Sequence, residues 1–396
     1  MRNLKWILGI IGSCIFPFMM EAQPTFPVNG VADVRSSPLA FINATIVKDA
    51  QTTLSNATLL VKEGKVTAIG TGIPVPADAV VVDCKGKYIY PSFIDLYADY
   101  GLPPSARSAG SYNYMTPAQL TNNQKGAYGW NQAIRTDVDA VKLFVIDDAR
   151  AKPLRDQGFG TVLTHQRDGI ARGTGVLVTL ANAKENTVIL KERASAHYSF
   201  NKGSSGQSYP NSLMGSIALL RQTYLDAEWY RSNADKEGVN LSLQYWNQQQ
   251  ALPQVFEAND KWNDLRADRV GDEFGVQYII KAGQNEYQRI QQMKASGASF
   301  ILPLNFPAAM EVDDPAELRF VGLDDMKHWE LAPTNPAAFE KAGINFCITS
   351  ADLASPSDFL PNLRKSIENG LSQTKALEAL TKTPATLMGM YDSCLL

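Results

Sequence analysis

The sequence predicts an α/β fold, a (β/α)₈ TIM-like barrel preceded by a compact block of short strands, on three observations. From Pro91 onward, strand-like runs alternate with helical runs, which argues for a parallel sheet built from βαβ units. Around eight such strands fall in roughly 290 residues, the size of an eight-fold barrel. The chain has 396 residues, 45% of them hydrophobic, which suits one large domain plus a smaller one. Strand number does not establish closure, so a doubly wound open sheet stays open as the alternative.

Taken in order, the first 22 residues stand apart from the fold. Arg2 and Lys5 give a positive start, residues 6–20 are apolar apart from Pro17, and Glu21-Ala22-Gln23 offers cleavage after Ala22. This pattern is that of a secretory signal peptide, and the run is short for a spanning helix, which needs about 20 apolar residues. The chain is therefore expected to be exported, periplasmic or secreted. Ile11-Gly12-Ser13-Cys14 loosely resembles a lipobox, so lipoprotein anchoring is the weaker reading. Residues 23–37, rich in Pro, Gly and Ser, read as a linker. Strands follow at 39–47, 57–61 and 65–69, the last two joined by the hairpin signal Glu63-Gly64. Two more, at 80–83 and 87–90, flank the turn Lys85-Gly86. About fifty residues of short strands cannot close a large core alone, so this block is expected to pack against something later.

Barrel strands are expected at 93–97, 160–164, 175–180, 188–190, 254–257, 276–280, 299–304 and 345–349. Helices are expected at 132–150, 212–231, 241–250, 261–274, 286–295, 336–342, 360–369 and 374–380. Residues 198–212 are polar, with Gly, Ser and aromatics, and lack the Gly-Lys-Ser/Thr ending of a P-loop; they read as a mobile mouth loop or a solvated connection. Net charge is −3 and no basic patch stands out, which argues against nucleic acid as a partner. No later segment is long and apolar enough to span a bilayer. With Cys14 in the leader, Cys84, Cys347 and Cys394 form neither a disulfide framework nor a Cys-x-x-Cys metal site. Cys84 and Cys347 sit in apolar runs and read as buried thiols.

Four segments carry a resemblance: FINATIV (41–47), VKEGKVTAIG (61–70), VVDCKGKYIYPSFID (81–95) and ALTKTPATLMGM (379–390). In these the chain resembles the metal-dependent amidohydrolase superfamily, in particular its secreted imidazolonepropionase-like branch, over about residues 38–390. The resemblance implies a partial, composite β-sandwich at 38–90 and a barrel at 91–390. It implies hydrolysis of non-peptide carbon–nitrogen bonds in a small-molecule substrate. It also implies metal ligands at the barrel mouth: two histidines after the first strand, a lysine or glutamate after the fourth, histidines after the fifth and sixth, and an aspartate base after the eighth. Such ligands hold a divalent ion that acidifies a bound water.

The chain departs from that pattern almost everywhere. Tyr97 and Asp99 replace the first two histidines; with Asp95 they alternate and are expected to face the same way while the strand persists. Lys191 could match the lysine after the fourth strand, though a surface lysine is the simpler reading. Glu257 stands for the fifth-strand histidine, Lys281-Ala282-Gly283 follows the sixth strand, and Asp352 is the candidate after the eighth, one residue out of frame. Only His165, His197 and His328 exist, none at a ligand position. His165 ends a strand and is a catalytic candidate together with Asp352; His197 and His328 read as structural. Asp95, Asp99, Glu257 and Asp352 could form a carboxylate site suited to Mg²⁺, Ca²⁺ or Mn²⁺. The favoured alternative is that Asp95 hydrogen-bonds the barrel and the rest are polar mouth residues. No cofactor is therefore expected, with a divalent metal as the alternative. Residues 391–396 read as a truncated tail, because the resemblance implies returning sandwich strands there; a second amidohydrolase-like copy is the implied partner. The expectation is an amidohydrolase-related protein that is inactive. Its alternative is a non-catalytic ligand-binding or scaffolding barrel supporting an active copy.

Overall fold

The computed structural model describes residues 37–104, 122 and 124–391. The expected leader at 1–22, the linker up to residue 36, Cys14, Cys394 and tail residues 392–396 lie outside the described residues. Among those described, no helix is long and apolar enough to cross a membrane.

The first sheet contains β1 (Leu39–Val47), β2 (Thr53–Lys62), β3 (Lys65–Gly70), β4 (Val80–Asp83) and β5 (Tyr88–Ile89). Its order is β3-β2-β1-β4, with β5 also pairing β1. Glu63 and Gly64 both adopt positive φ, 52° and 74°, the combination that matches hairpin twist. Ala44, Ile46, Ala57 and Cys84 form its small core.

The second sheet has eight strands in the order β6 to β13: Phe93–Ala98, Phe159–Thr164, Ala171–Thr179, Ile189–Ser199, Gln254–Glu257, Ile279–Lys281, Ser299–Pro303 and Phe346–Thr349. Helices flank it, including Asp148–Asp156, Leu213–Glu237, Lys261–Glu273, Asn335–Ala342 and Phe359–Glu368. Ile94, Leu96, Leu163, Leu177, Val255, Ile279, Ile301 and Cys347 fill the interior, and Ala385 and Met388 from the last helix pack against them. A second layer, with Val162, Val178, Phe256, Phe300 and Phe346, packs against the helices. Cys84 and Cys347 are buried free thiols.

The sheet corrects the expected all-parallel barrel. β8 runs antiparallel to both β7 and β9, so residues 159–199 form a meander where two crossovers were expected. β9 is correspondingly long, and its expected core at 188–190 is only its first turn out of the helix before it. Lys191 therefore lies at the start of β9, away from the mouth, and donates to the Met388 carbonyl at 3.1 Å. Residues 132–150 are also not one helix. Ile134 and Asp139 form β-bridges to Ala171 and Thr174, and only Ala140–Leu143 and the start of Asp148–Asp156 are helical. Gly173, at φ 78°, permits that approach: a Cβ there would lie 1.9 Å from the Val138 carbonyl oxygen.

Among the described residues no ladder pairs β6 with β13; the seam is closed by Asp95. Its fully buried carboxylate accepts from Thr349 Oγ1 at 2.6 Å, Ser350 N at 2.8 Å, Ser350 Oγ at 2.6 Å and Tyr97 N at 2.9 Å. Burial raises the Asp95 carboxyl above its ordinary value, against these hydrogen bonds. Asp95→Ala leaves several buried donors without an acceptor and is expected to destabilise the fold by roughly 3 kcal/mol or more. Urea unfolding measures this; a change under 1 kcal/mol, on the order of one ordinary hydrogen bond, would remove Asp95 from the seam.

Candidate functional site

The strands of the barrel place their mouth residues according to direction. In the parallel strands the mouth is the C-terminal end, which brings up Tyr97, His165 just past β7, Glu257, Lys281 and, beyond β13, Asp352. In β8 the reversed direction presents the N-terminal end instead, which brings up Arg172. Arg167 reaches the same place from the turn between β7 and β8.

These side chains form one ion-paired network. Arg172, 4% exposed, donates to Glu257 Oε2 at 2.6 Å and to the Tyr97 hydroxyl at 2.9 Å. Arg167 Nη2 donates to Glu257 Oε1 and Asp352 Oδ1, each at 3.0 Å. Lys281, 1% exposed, pairs with Asp352 and donates to Asn259 Oδ1 at 2.6 Å. Asn259 and Asp352 both adopt positive φ, 68° and 65°. Asn and Asp tolerate that conformation better than other residues with a Cβ, and here it accompanies the grip on Lys281. The guanidinium of Arg167 and the Lys281 ammonium lie over the Tyr97 ring, 5.0 and 5.7 Å from its centroid. Burial works to raise the Glu257 carboxyl, but Arg172, Arg167 and Lys281 outweigh it and hold it far below its usual range. Asp352 is lowered in the same way, burial being outweighed by Lys281 and Arg167.

Behind this network two histidines stack. The His165 and His197 rings are 3.6 Å apart and 5° from coplanar, with Tyr97 edge-on to His165 at 4.7 Å. Both are buried. His197 Nε2 meets Ser195 Oγ at 2.7 Å, whereas neither ring nitrogen of His165 has a hydrogen-bond partner among the described residues. Burial, His197 and the two arginines push His165 well below the ordinary histidine value; burial and Arg172 bring His197 to about 3. Both rings are therefore neutral at pH 7.

Of the residues singled out by sequence, the structure brings Tyr97, His165, Glu257 and Asp352 together, leaves Asp99 at the edge of the clefts beside them and turns Asp95 away into the seam. A register shift after Asp95 breaks the expected alternation. Asp95 turns into the seam, Tyr97 into the barrel, and Asp99, largely exposed, outward to Arg150 at 2.7 Å. Asp95, Asp99 and Glu257 do not converge as metal ligands. Among the described residues no group of three or more His, Cys, Asp or Glu side chains is placed to hold a metal. A divalent ion does not fit the donor set at the mouth, because both Glu257 oxygens and both Asp352 oxygens already face cations. His328 is half-buried against Tyr287, away from this cluster. The sequence reading missed Arg167 and Arg172, and noted Lys281 only as the residue ending the sixth strand where a histidine was expected. The loop 198–212 is anchored: Ser204 donates to Asp168 through N and Oγ, both at 2.6 Å, and Lys202 donates to the Gln207 carbonyl at 2.7 Å.

No family model matches the chain, and no curated protein matches its sequence. Solved structures do match its fold. An amidohydrolase from Thermotoga maritima superposes with a TM-score of 0.68 at 19% identity, over 89% of each chain. A prolidase complexed with N-methylphosphonate-L-proline superposes with a TM-score of 0.50 at 13% identity, over 91% of this chain and 90% of that one. The chain therefore has the barrel-and-sheet fold found in amidohydrolases.

Two outcomes follow from the network. Histidine-ring NMR between pH 8 and 5 is expected to show no titration of His165 or His197, and a midpoint near 6.5 for either ring would contradict the neutral stack. Glu257→Gln is expected to cost about 3–5 kcal/mol at neutral pH by leaving buried arginines uncompensated. The folded Glu257 carboxyl is depressed, so its contribution is complete above the unfolded value of 4.5 and falls as pH drops below it. The difference between wild type and Glu257→Gln should therefore shrink by about 2 kcal/mol between pH 7 and pH 3, measured by urea titration at each pH.

Proposed function

We propose that this amidohydrolase-fold chain does not carry out metal-dependent hydrolysis and that its barrel mouth binds a small molecule without turning it over. One observation carries the reading: Arg172, Arg167 and Lys281 neutralise Glu257 and Asp352 from within the protein. A metal ion entering there would meet three positive charges before it met a free carboxylate. Fixed cations can orient and polarise a ligand, but they do not generate the bound hydroxide on which metal-assisted hydrolysis depends. His165 and His197 have low proton affinity, chiefly through burial, and buried Tyr97 holds its proton tightly, so none of them is a ready general base. Ligand binding is the role that needs none of these, and the clefts beside Arg167 support it.

Incubation of the purified protein with excess zinc or manganese, followed by dialysis and elemental analysis, is expected to leave substoichiometric metal and no turnover of amides or lactams. Stoichiometric metal that Asp99→Ala removes, together with amide turnover, would overturn the proposal.

A further inference from the structure

Two clefts open at the mouth beside the ion-paired network. The larger, about 520 Å³, is lined among others by Asp99, Arg150, Arg167, Ser350 and Asp352. The smaller, about 240 Å³, shares Asp99, Arg150 and Arg167 and adds His165 and Gln166. The larger alone falls within the size of ordinary small-molecule sites, roughly 300–1,000 Å³.

Three features describe what would fit there. First, all hydrogen bonds of the Arg167 guanidinium to described residues run through Nη2, leaving its remaining donors directed at no carboxylate among them. Arg150, 44% exposed, holds Asp99 through Nη2 and makes only a long 3.4 Å contact through Nη1 to the Leu102 carbonyl. Second, His165 is completely buried, yet neither ring nitrogen meets a partner among the described residues. A buried polar atom without a partner costs about 1–3 kcal/mol, and such exceptions in a folded protein call for an explanation; a ligand group in the smaller cleft supplies one. Third, Asp99 and Asp352 share the larger cleft. Their charges oppose a dianion and tolerate a single negative charge, and the guanidinium fork suits the two oxygens of a planar carboxylate.

We infer that the barrel mouth binds a small molecule bearing one carboxylate, with that carboxylate between Arg150 and Arg167 and an amide-like hydrogen-bonding group against His165. The inference rests on the ligand-binding reading above and names its ligand class. A neutral imidazole carries one donor and one acceptor, so an acylamino group, which also carries one of each, is its natural complement.

Calorimetric titration with N-acetylglycine, neutral N-acetylglycinamide and inorganic phosphate tests this, with histidine-ring NMR in parallel. N-acetylglycine is expected to bind, the amide and phosphate about tenfold more weakly or not at all, and the His165 ring signals to shift while those of His328 stay in place. Arg150→Gln, at an exposed position outside the buried network, is expected to weaken N-acetylglycine about tenfold while leaving the melting temperature unchanged. Arg167→Gln should weaken it further if the variant folds, but Arg150→Gln decides the matter without it. Failure of N-acetylglycine to bind, equal binding of the amide, preference for phosphate, indifference to Arg150→Gln, or an unmoved His165 would each overturn the inference. Metal content and amide turnover are separate readouts. A chain that binds the carboxylate but also hydrolyses amides with bound metal overturns only the preceding reading, and a metal-free, inert chain that ignores carboxylates overturns only this one.

Discussion

Charge pairing in a place of low water access is the constraint around which the barrel mouth is organised. Glu257, Arg172 and Lys281 are each less than a tenth exposed, and an isolated charge at any of them would be several kcal/mol too costly to keep. They persist because each is answered by another: Arg172 by Glu257, Lys281 by Asp352, and Arg167 by both carboxylates. The other mouth features are arranged about this network. Tyr97 lies beneath two of its cations, Asn259 and Asp352 take left-handed backbone to reach Lys281, and the histidine stack stays uncharged chiefly because it is buried and further because arginine faces it. A metal-dependent hydrolase answers its buried carboxylates with an ion from solution; this chain answers them with its own side chains.

Much of the scaffold was legible in the sequence. Eight barrel strands could be located because short apolar runs bounded by helical stretches leave few other assignments, and the Glu63-Gly64 hairpin could be read from two residues. The direction of β8 could not. A run such as Gly175–Leu180 carries no mark of which way it points, and a meander replaces crossovers without changing the strand count. The same blindness hid Arg172, whose arrival at the mouth depends on that reversal. The misread helix at 132–150 has a related cause: its apolar spacing served a segment that lies along β8, where tertiary bridges outweigh local propensity.

The site was legible by position more than by chemistry. Tyr97, Glu257 and Asp352 were found by counting along strand ends, and that count depends only on the fold. Asp95 and Asp99 were grouped with them on the assumption of an unbroken strand, which the register shift after Asp95 removes. Arg167 went unremarked, and Lys281 was noted only for standing where a histidine was expected, because a search for metal ligands looks for donors of electron pairs, and a cation is the opposite. Their significance appears only once the carboxylates they face are known.

The meander of residues 159–199 has a further consequence, in the order of assembly. A hairpin closes a short loop, whereas a crossover must first bring together segments separated by a helix, at greater entropic cost. His165, Arg167, Arg172 and His197 all belong to this one contiguous stretch, while Glu257, Lys281 and Asp352 arrive from strands far along the chain. The two arginines of the mouth and the histidine stack can thus assemble locally as a unit, and the remote Glu257, Lys281 and Asp352 then reward each later strand that docks in register. Placed in this way, the ion pairs reward correct barrel closure as well as occupying the mouth of the finished barrel.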